Sequence, residues 1–356
     1  MQIKSVGYSV HFSKNELHHV QVFLNEHSFS NIFILCDTNT RKYCLPLFIK
    51  GNKVLQGAKI FSIPAGEQYK TIETVNDCWN FLLSNKADKN ALLICLGGGV
   101  VCDIGGFVAS TFKRGISFIN IPTTLLAMAD ASVGGKNGID FNGYKNLIGT
   151  ITQPKGVFIY EDFLKTLPER QVKNGFAEII KAALIGNKKL WKDFLSLSKL
   201  PETKLGSFIY DSVLVKNKIV IKDPNEKNIR QVLNFGHTVG HAIEAYYVND
   251  KKHSLLHGEA IVMGMCVELC LGKLIKVTSG KVAMEAILFL KKHFTLQAFS
   301  KKEIEAFVHL MQHDKKNKEG KLRFALLKEA AKPVINISAS TEEVKEAFEL
   351  YNHLLA

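Results

Sequence analysis

The sequence predicts two domains, an N-terminal α/β domain built on a mostly parallel sheet and an all-α C-terminal domain. Three observations predict this. Over the first 160 residues, short β-rich runs alternate with amphipathic stretches, the pattern of strand–helix–strand units laid against a parallel sheet. Beyond Pro168 the strand signals nearly vanish and apolar residues recur at helical spacing. A length of 356 residues also exceeds one compact unit of roughly 100–150 residues. The boundary is placed at 170/171, in the stretch LKTLPERQVKNG, giving domains 1–170 and 171–356.

Taken in order, NIFILC (31–36), ALLICLG (91–97) and GISFINIPT (115–123) read as strands, and TIETVNDCWNFLLSNKA (71–87) as an amphipathic helix. The run ALLICLGGGVVCDIGGFVASTF (91–112) is long enough to span a membrane, but Asp103 and five glycines argue instead for strand, glycine turn and buried helix. In the second half, helical spacing runs through 175–187, 205–221, 231–247, 255–275, 280–293 and 301–313. LRFALL (322–327) is an isolated β-like exception.

Hydrophobic residues make up 46% and charged residues 22% of the chain, an ordinary globular composition. The net charge of +13, from 46 Lys and Arg against 33 Asp and Glu, admits nucleic acid, an anionic membrane or an anionic small substrate. Zinc-finger spacing, an RNP-like aromatic motif and a long basic tail are all missing from the sequence, so no nucleic-acid or membrane partner is expected. Seven cysteines without a Cys-x-x-Cys pair, and a start MQIKSVGYSVHFSKN lacking an apolar stretch, lead us to expect a reducing, cytoplasmic setting.

CLGGGVVCDIGGF follows a strongly apolar strand, and Gly97, Gly98 and Gly99 would let the backbone approach a pyrophosphate facing a helix N-terminus, as in a Rossmann-like domain. A strict dinucleotide fingerprint wants glycine where Cys102 stands, and a tight turn with no ligand would use the same letters. In FILCDTNT, Asp37 ends a strand where a carboxylate could accept from a ribose hydroxyl, with Asn39 assisting; a helix cap there would look the same. IPTTLLAMADASVGGKNGID places Thr123, Thr124 and Asp130 before a second glycine-rich turn holding Lys136, and GYKNLIGTITQP adds Lys145 and Asn146 beside more turn glycines. Hydroxyls, amides and lysines of this kind make an anion cradle, or a pair of ordinary loops.

Glu178 and Lys181 sit three apart on a helix among Phe176, Ala177, Ile179 and Ile180. Charges set in apolar surroundings are costly without partners. In LNFGHTVGHAIE, His237 and His241 share one helix face, while LLHGEAIVMGM supplies His257 on the next helix. With Glu178, two histidines meet the three-ligand count of a catalytic zinc site. Spacing alone leaves open whether His241 is a further ligand or an acid/base.

These stretches resemble the sequence signature of the 3-dehydroquinate synthases, within the sugar phosphate cyclases. The motifs occur in order: the GGGVV turn, PTTLLA with SVGGK, NLIGT followed by QP, AEIIK, LNFGHT with GHAIE, LLHGEA, and DKK. The resemblance implies an NAD-binding α/β domain, a helical domain, a divalent metal, usually zinc and alternatively cobalt, in the cleft, and a homodimer. By similarity Glu178, His237 and His257 would hold the metal and His241 would be free for proton transfer. Positions for the substrate's phosphate, carboxylate and hydroxyls fall on Asp130, Lys136, Lys145, Asn146, Lys181, Lys216, Arg230, Asn234 and one of Lys315 or Lys316. Those for NAD fall on Asp37, Asn39, Glu67, Lys70, Gly97, Gly98, Gly99, Asp103, Thr123 and Thr124, with Asp130, Lys136 and Lys145 near both ligands. Arg114 matches an arginine that reaches substrate phosphate across the dimer.

The substrate so implied is 3-deoxy-D-arabino-heptulosonate 7-phosphate, whose phosphate and carboxylate suit several lysines and an arginine. Its C5 alcohol is oxidised transiently by NAD, phosphate leaves by β-elimination, the ketone is reduced again, and ring opening with intramolecular aldol closure gives 3-dehydroquinate. Cys102, Met128, Ala131 and Asn137 depart from the family pattern, at positions bearing on turn geometry and cofactor affinity, while every charged residue assigned to chemistry is present. The rivals are another sugar phosphate cyclase, against which Lys216, Arg230 and Asn234 favour a carboxylated substrate, and a metal-dependent polyol dehydrogenase resembling glycerol dehydrogenase.

Overall fold

The computed structural model of the protein describes residues 1–13, 17–50, 52–142, 144–248, 254–312 and 322–356. His253, Lys315, Lys316 and Lys318 lie outside the described residues. The chain forms two compact units, Met1–Val172 with Thr203–Pro224, and Lys173–Glu202 with Asn225–Ala356.

The strands, in chain order, are β1 (Gln2–Lys4), β2 (Ser9–Ser13), β3 (Ile32–Asp37), β4 (Lys59–Ile63), β5 (Leu92–Gly97), β6 (Ser117–Pro122), β7 (Lys136–Phe141), β8 (Tyr144–Ile151), β9 (Val157–Tyr160), β10 (Leu322–Glu329) and β11 (Lys332–Ala339). The first unit is built on a seven-stranded sheet of order β1-β2-β9-β6-β5-β3-β4. Only the β1–β2 pair is antiparallel; the rest are parallel. Every residue of β5 is buried, as expected of a central parallel strand covered on both faces. Phe33, Leu35, Leu93, Cys95, Ile104, Phe107, Val108 and Phe118 form the core between this sheet and the helix Gly99–Thr111. The helix lies close because Gly105 faces Cys95: a Cβ there would overlap the Cys95 sulfur and approach Leu35 Cδ2 to 3.3 Å. The run 91–112 is therefore a strand, a turn and a buried helix, and among the described residues no helix is long and apolar enough to cross a membrane. All seven cysteines are free and buried.

Two stretches differ from the sequence reading. Lys136, Lys145 and Asn146, expected in glycine-rich loops, lie on β7 and β8, an antiparallel hairpin. Before β7, Gly134 and Gly135 take positive φ (+104° and +69°). Gly138 and Gly149 face each other across the ladder, where a Cβ on Gly138 would stand 2.6 Å from the Ile148 carbonyl oxygen. Those glycines serve close strand approach rather than turning. Residues 203–224, expected in the second domain, pack with the first unit. Their helix, Gly206–Lys222, hydrogen-bonds through Ser212 to the Ala129 carbonyl (3.3 Å) and through Asn217 to the Lys4 carbonyl (2.7 Å). Helical periodicity shows which face is buried but not against what.

In the second unit the helix His257–Leu274 is buried at every position from Ala260 to Gly272, which marks it as the central helix. Around it stand Glu169–Gly186 (in this unit from Lys173 onward), Lys188–Leu195, His237–Tyr247, Gly280–His293, Lys301–Gln312 and Thr341–Leu355. The β10–β11 hairpin joins them, so the LRFALL run is a strand with a partner and the unit is mainly, not wholly, helical. His237–Tyr247 crosses the central helix at glycines: a Cβ on Gly264 would overlap the Gly236 carbonyl and the Gly240 backbone.

The Gly105–Cys95 contact gives a test. Alanine gains about 1 kcal/mol over glycine in a helix interior, but overpacking costs about 1–3 kcal/mol. Urea unfolding should show G105A less stable than the natural sequence by up to about 2 kcal/mol, with C95A in the same chain restoring most of the loss.

Candidate active site

In the first unit, the turn Gly97-Gly98 opens the helix Gly99–Thr111 at the C-terminal end of β5. Gly98 is its N-cap and offers no side chain, so the first-turn amides are left for an external acceptor. A Cβ on Gly98 would come within 3.0 Å of Thr124 Cγ2. The Thr123 hydroxyl is buried beside this turn without a hydrogen-bond partner, while the Thr123 amide donates to the Gly97 carbonyl at 3.0 Å. Cys102 is accommodated where the fingerprint wants glycine: it is buried, its thiol directed at the Gly97 carbonyl at 3.8 Å. A dinucleotide pyrophosphate fits this arrangement of bare amides, small residues and a spare hydroxyl.

Five of the predicted residues meet beside the helix. The buried Lys70 ammonium donates to Asp103 Oδ2 at 2.6 Å and to Asn146 Oδ1 at 2.5 Å, and Lys145 pairs with Glu67 at 3.2 Å. Burial works against the Lys70 charge, but the Asp103 carboxylate, then Glu67, outweighs it and raises the pKa. Burial in turn pushes the Asp103 carboxyl up, against the pull of Lys70. Asn146 holds φ +52° with its amide on Asp140 Oδ1 at 2.8 Å. Asp130, in a turn of π-helix at Ala127–Ala131, receives Lys216 at 2.8 Å on both its carboxylate and its carbonyl.

Four further predicted residues of this unit lie on a helix start, a strand start and a turn. Asp37 caps the helix Thr38–Tyr43, accepting the Thr40 amide at 2.8 Å, with Asn39 exposed on the first turn. Lys136 is exposed at the start of β7. Arg114 is exposed on a turn, at φ +61°.

In the second unit three helices bring the predicted metal residues together. Glu178 lies fully inside Glu169–Gly186, with Lys181 one turn on and its ammonium paired to Glu178 Oε2. His237 and His257 are the first residues of their helices, and the Nε2 atom of each stands 3.6 Å from Glu178 Oε1. Their Nδ1 atoms are engaged elsewhere: His237 donates to the Phe235 carbonyl and His257 to Glu244, each at 3.2 Å. That leaves the Nε2 atom of each ring to face the carboxylate. Neither oxygen of Glu178 receives a well-formed hydrogen bond, although Lys181 pairs with it. One ligand atom from each of Glu178, His237 and His257 lies within 4.8 Å of the others.

A divalent cation fits this donor set. Burial disfavours the Glu178 charge, yet Lys181 and then His257 hold its carboxyl down to about 2. Burial, reinforced by the charge of Lys181, keeps His237 neutral, well below its ordinary value. Burial also opposes charge on His257, but Glu244 and Glu178 raise it to about 9. A cation at Nε2 would take the place of that proton.

His241, Glu244 and His257 form a second group within the same limit. Glu244 already engages His257 Nδ1, and His241 is exposed, so the Glu178 group is the better metal site. His241 lies with its ring centroid 5.0 Å from that of His237 and 5.9 Å from that of His257, close enough to serve chemistry at the cation. Arg230 is wholly buried, and Asn234 donates to Glu226 at 3.1 Å; both belong to the turn Ile229–Asn234 that leads into the His237 helix.

Sequence reasoning missed two groups here. Asn174 accepts the Gly258 amide at 2.5 Å, and Glu268 accepts the Gly236 and Val239 amides at 2.7 and 3.2 Å. The available signal was an acidic residue inside the apolar run AIVMGMCVELCLG.

Residues 60–174 match the family of 3-dehydroquinate synthase N-terminal domains and residues 175–317 that of the C-terminal domains. The chain is 40% identical over 341 residues to the 3-dehydroquinate synthase of Parabacteroides distasonis, covering 95% of each chain. It is 37% identical over 355 residues to that of Bacillus cereus, covering 96% of this chain and 94% of that one. Among solved structures, a 2-deoxy-scyllo-inosose synthase complexed with carbaglucose-6-phosphate, NAD+ and Co2+ superposes with a TM-score of 0.87 at 25% identity, covering 98% and 99% of the two chains. Glycerol dehydrogenase from Schizosaccharomyces pombe shares the fold with a TM-score of 0.66 at 13% identity, covering 99% and 90%. Both halves of the chain, and relatives matched over almost their whole length, agree: the chain belongs to the 3-dehydroquinate synthase family.

Proposed function

We propose that the protein is an active 3-dehydroquinate synthase, releasing phosphate from 3-deoxy-D-arabino-heptulosonate 7-phosphate to form 3-dehydroquinate in the shikimate pathway. The observation that carries this reading is the buried Glu178 carboxylate, short of hydrogen bonds and faced by two Nε2 atoms, in a chain of this family. NAD, when bound, supplies reversible hydride transfer, and a divalent metal such as zinc or cobalt polarises the reacting oxygen.

Glu178, His237 and His257 hold the metal. Lys181 keeps Glu178 ionised and is itself a donor for a substrate oxygen. His241, exposed beside the two ligand imidazoles, carries the proton of the alcohol as it is oxidised and returns it on reduction. Gly97, Gly98, Gly99, Thr123 and Thr124 take the NAD pyrophosphate; Asp37, Asn39, Glu67, Lys70 and Asp103 take the rest of that cofactor. Asp130, Lys136, Lys145, Asn146, Lys216, Arg230 and Asn234 meet the substrate's anionic and hydroxyl groups, and Arg114 meets phosphate from the neighbouring subunit of a homodimer. Seven free, buried cysteines suit a cytoplasmic setting.

The direct test supplies the heptulosonate phosphate with catalytic NAD and zinc. Inorganic phosphate and dehydroquinate should appear together without net NADH. Sustained NADH accumulation with glycerol, and no phosphate release, would instead identify a polyol dehydrogenase. The division of labour among the histidines is tested by two variants. H241A should retain zinc and lose at least about 100-fold in kcat, the usual contribution of a general acid/base; H237A should lose zinc and activity together. Equal zinc loss in both would remove the distinction.

A further inference from the structure

The two imidazoles that face Glu178 are the first residues of their helices. Neither helix is capped by its own preceding residue in the usual way: Gly236 has no side chain, and Leu256 has no polar group to offer. Glu259, in the first turn of the His257 helix, accepts the Leu256 amide at 2.8 Å, and the other caps come from neighbouring elements. Asn174, one turn before Glu178 on the Glu169–Gly186 helix, accepts the Gly258 amide at 2.5 Å. Glu268, on the same helix as His257, accepts the Gly236 amide at 2.7 Å on one carboxylate oxygen and the Val239 amide at 3.2 Å on the other. Each ligand-bearing helix is thus pinned to the next one at the residue beside its ligand.

We infer that Glu268, with Asn174 as the companion joint, is a positioning residue that fixes where His237 presents Nε2 and so sets the affinity of the metal site. Three features bear on it. Glu268 is fully buried at 0% exposure, and a carboxylate is tolerated there only because it meets amide donors at the positive end of a helix. Its two oxygens answer two donors, one residue before and two residues after His237. A glutamine offers one oxygen and presents an NH2 group to the second donor, and an aspartate is one methylene short. The backbone around it has no slack, because Gly236 sits at φ +78° and a Cβ on Gly264 would overlap Gly236 and Gly240. At Asn174 the approach is as close: a Cβ on Gly258 would overlap the Asn174 carbonyl and stand 2.7 Å from its Oδ1. A displacement of either helix start moves an imidazole relative to a carboxylate that stays with its own helix.

The inference rests on the proposed ligand set, and the experiment separates the two. Zinc affinity of the metal-free protein is measured by competition with a chelating dye, and the visible spectrum of the Co2+-loaded protein is recorded, for the natural sequence, H237A, E268Q, N174A and N187A. Asn187 caps the helix Lys188–Leu195, which carries no ligand, by accepting the Leu190 amide at 3.0 Å; N187A is the control for losing a cap. E268Q is expected to bind zinc about 10–100-fold more weakly, the usual effect of removing an outer-sphere partner, with an altered cobalt spectrum. N174A is expected to act in the same direction, and N187A to lower Tm while leaving zinc affinity and the spectrum unchanged. If H237A binds zinc as the natural sequence does, the ligand assignment fails. If H237A loses zinc but E268Q keeps the natural affinity and spectrum with only a lowered Tm, Glu268 is an ordinary cap and the inference is overturned. Should E268Q not fold, N174A decides it: unchanged zinc affinity there overturns the inference.

Discussion

Burying a carboxylate inside a helix packed among phenylalanine and isoleucine side chains is unfavourable unless the charge is met, and at Glu178 the counter-charge comes from Lys181 and His257. Lys181 reaches it along its own helix, and His237 and His257 turn their Nε2 atoms to it from two others. Breaking a buried charge arrangement by removing one partner costs about 3–5 kcal/mol, whereas well-packed apolar replacements of a whole set are often neutral or stabilising. A fold with stability as its only requirement would gain little from such a cluster. A cation site needs it, because the same desolvation that penalises the bare carboxylate strengthens its hold on a divalent ion.

The constraint propagates outward. For both Nε2 atoms to face inward, both Nδ1 atoms must be held, and the Phe235 carbonyl and Glu244 do this. For the imidazoles to begin their helices at the right place, the helix starts must be fixed, which explains why glycine stands at 258 and 264, where neighbouring backbone leaves no room for a side chain, and at 236 and 240, where Met265 and Ile261 crowd the same space. In the first unit the corresponding constraint is the approach of backbone to a phosphate. Bare amides at Gly98 and Gly99 are bordered by a buried threonine hydroxyl with no hydrogen-bond partner, and Lys70 is held by Asp103 and Asn146. Locking a lysine in place beforehand reduces the ordering cost of binding.

What the sequence made legible follows from how local each signal was. The strand Leu92–Gly97, the turn and the helix after it could be read because a fully buried strand is a continuous apolar run and the glycines end it. The Glu178, His237 and His257 group could be anticipated because a carboxylate inside an apolar helix requires a partner and histidines open two later helices, while the His237–His241 spacing left open which histidines would be ligands. The β7–β8 hairpin could not, since Gly138 and Gly149 look like turn residues until they are found opposite each other. The helix Gly206–Lys222 could not be assigned to a unit, because its apolar face fits either core. Asp37 was ambiguous in sequence between a cap and a ribose acceptor, and the cap to the Thr40 amide is present. Glu268 was visible as an anomaly, but its partners lie about thirty residues upstream, beyond any local pattern.

The central claim is that one carboxylate and two imidazoles from three helices hold a single cation. Anomalous diffraction at the zinc edge, from crystals of the zinc-loaded protein, tests it most directly. The account predicts one zinc per chain, with a Glu178 oxygen and the Nε2 atoms of His237 and His257 each at about 2.0–2.2 Å. Zinc held instead by His241, Glu244 and His257, or bound away from Glu178 altogether, would contradict it.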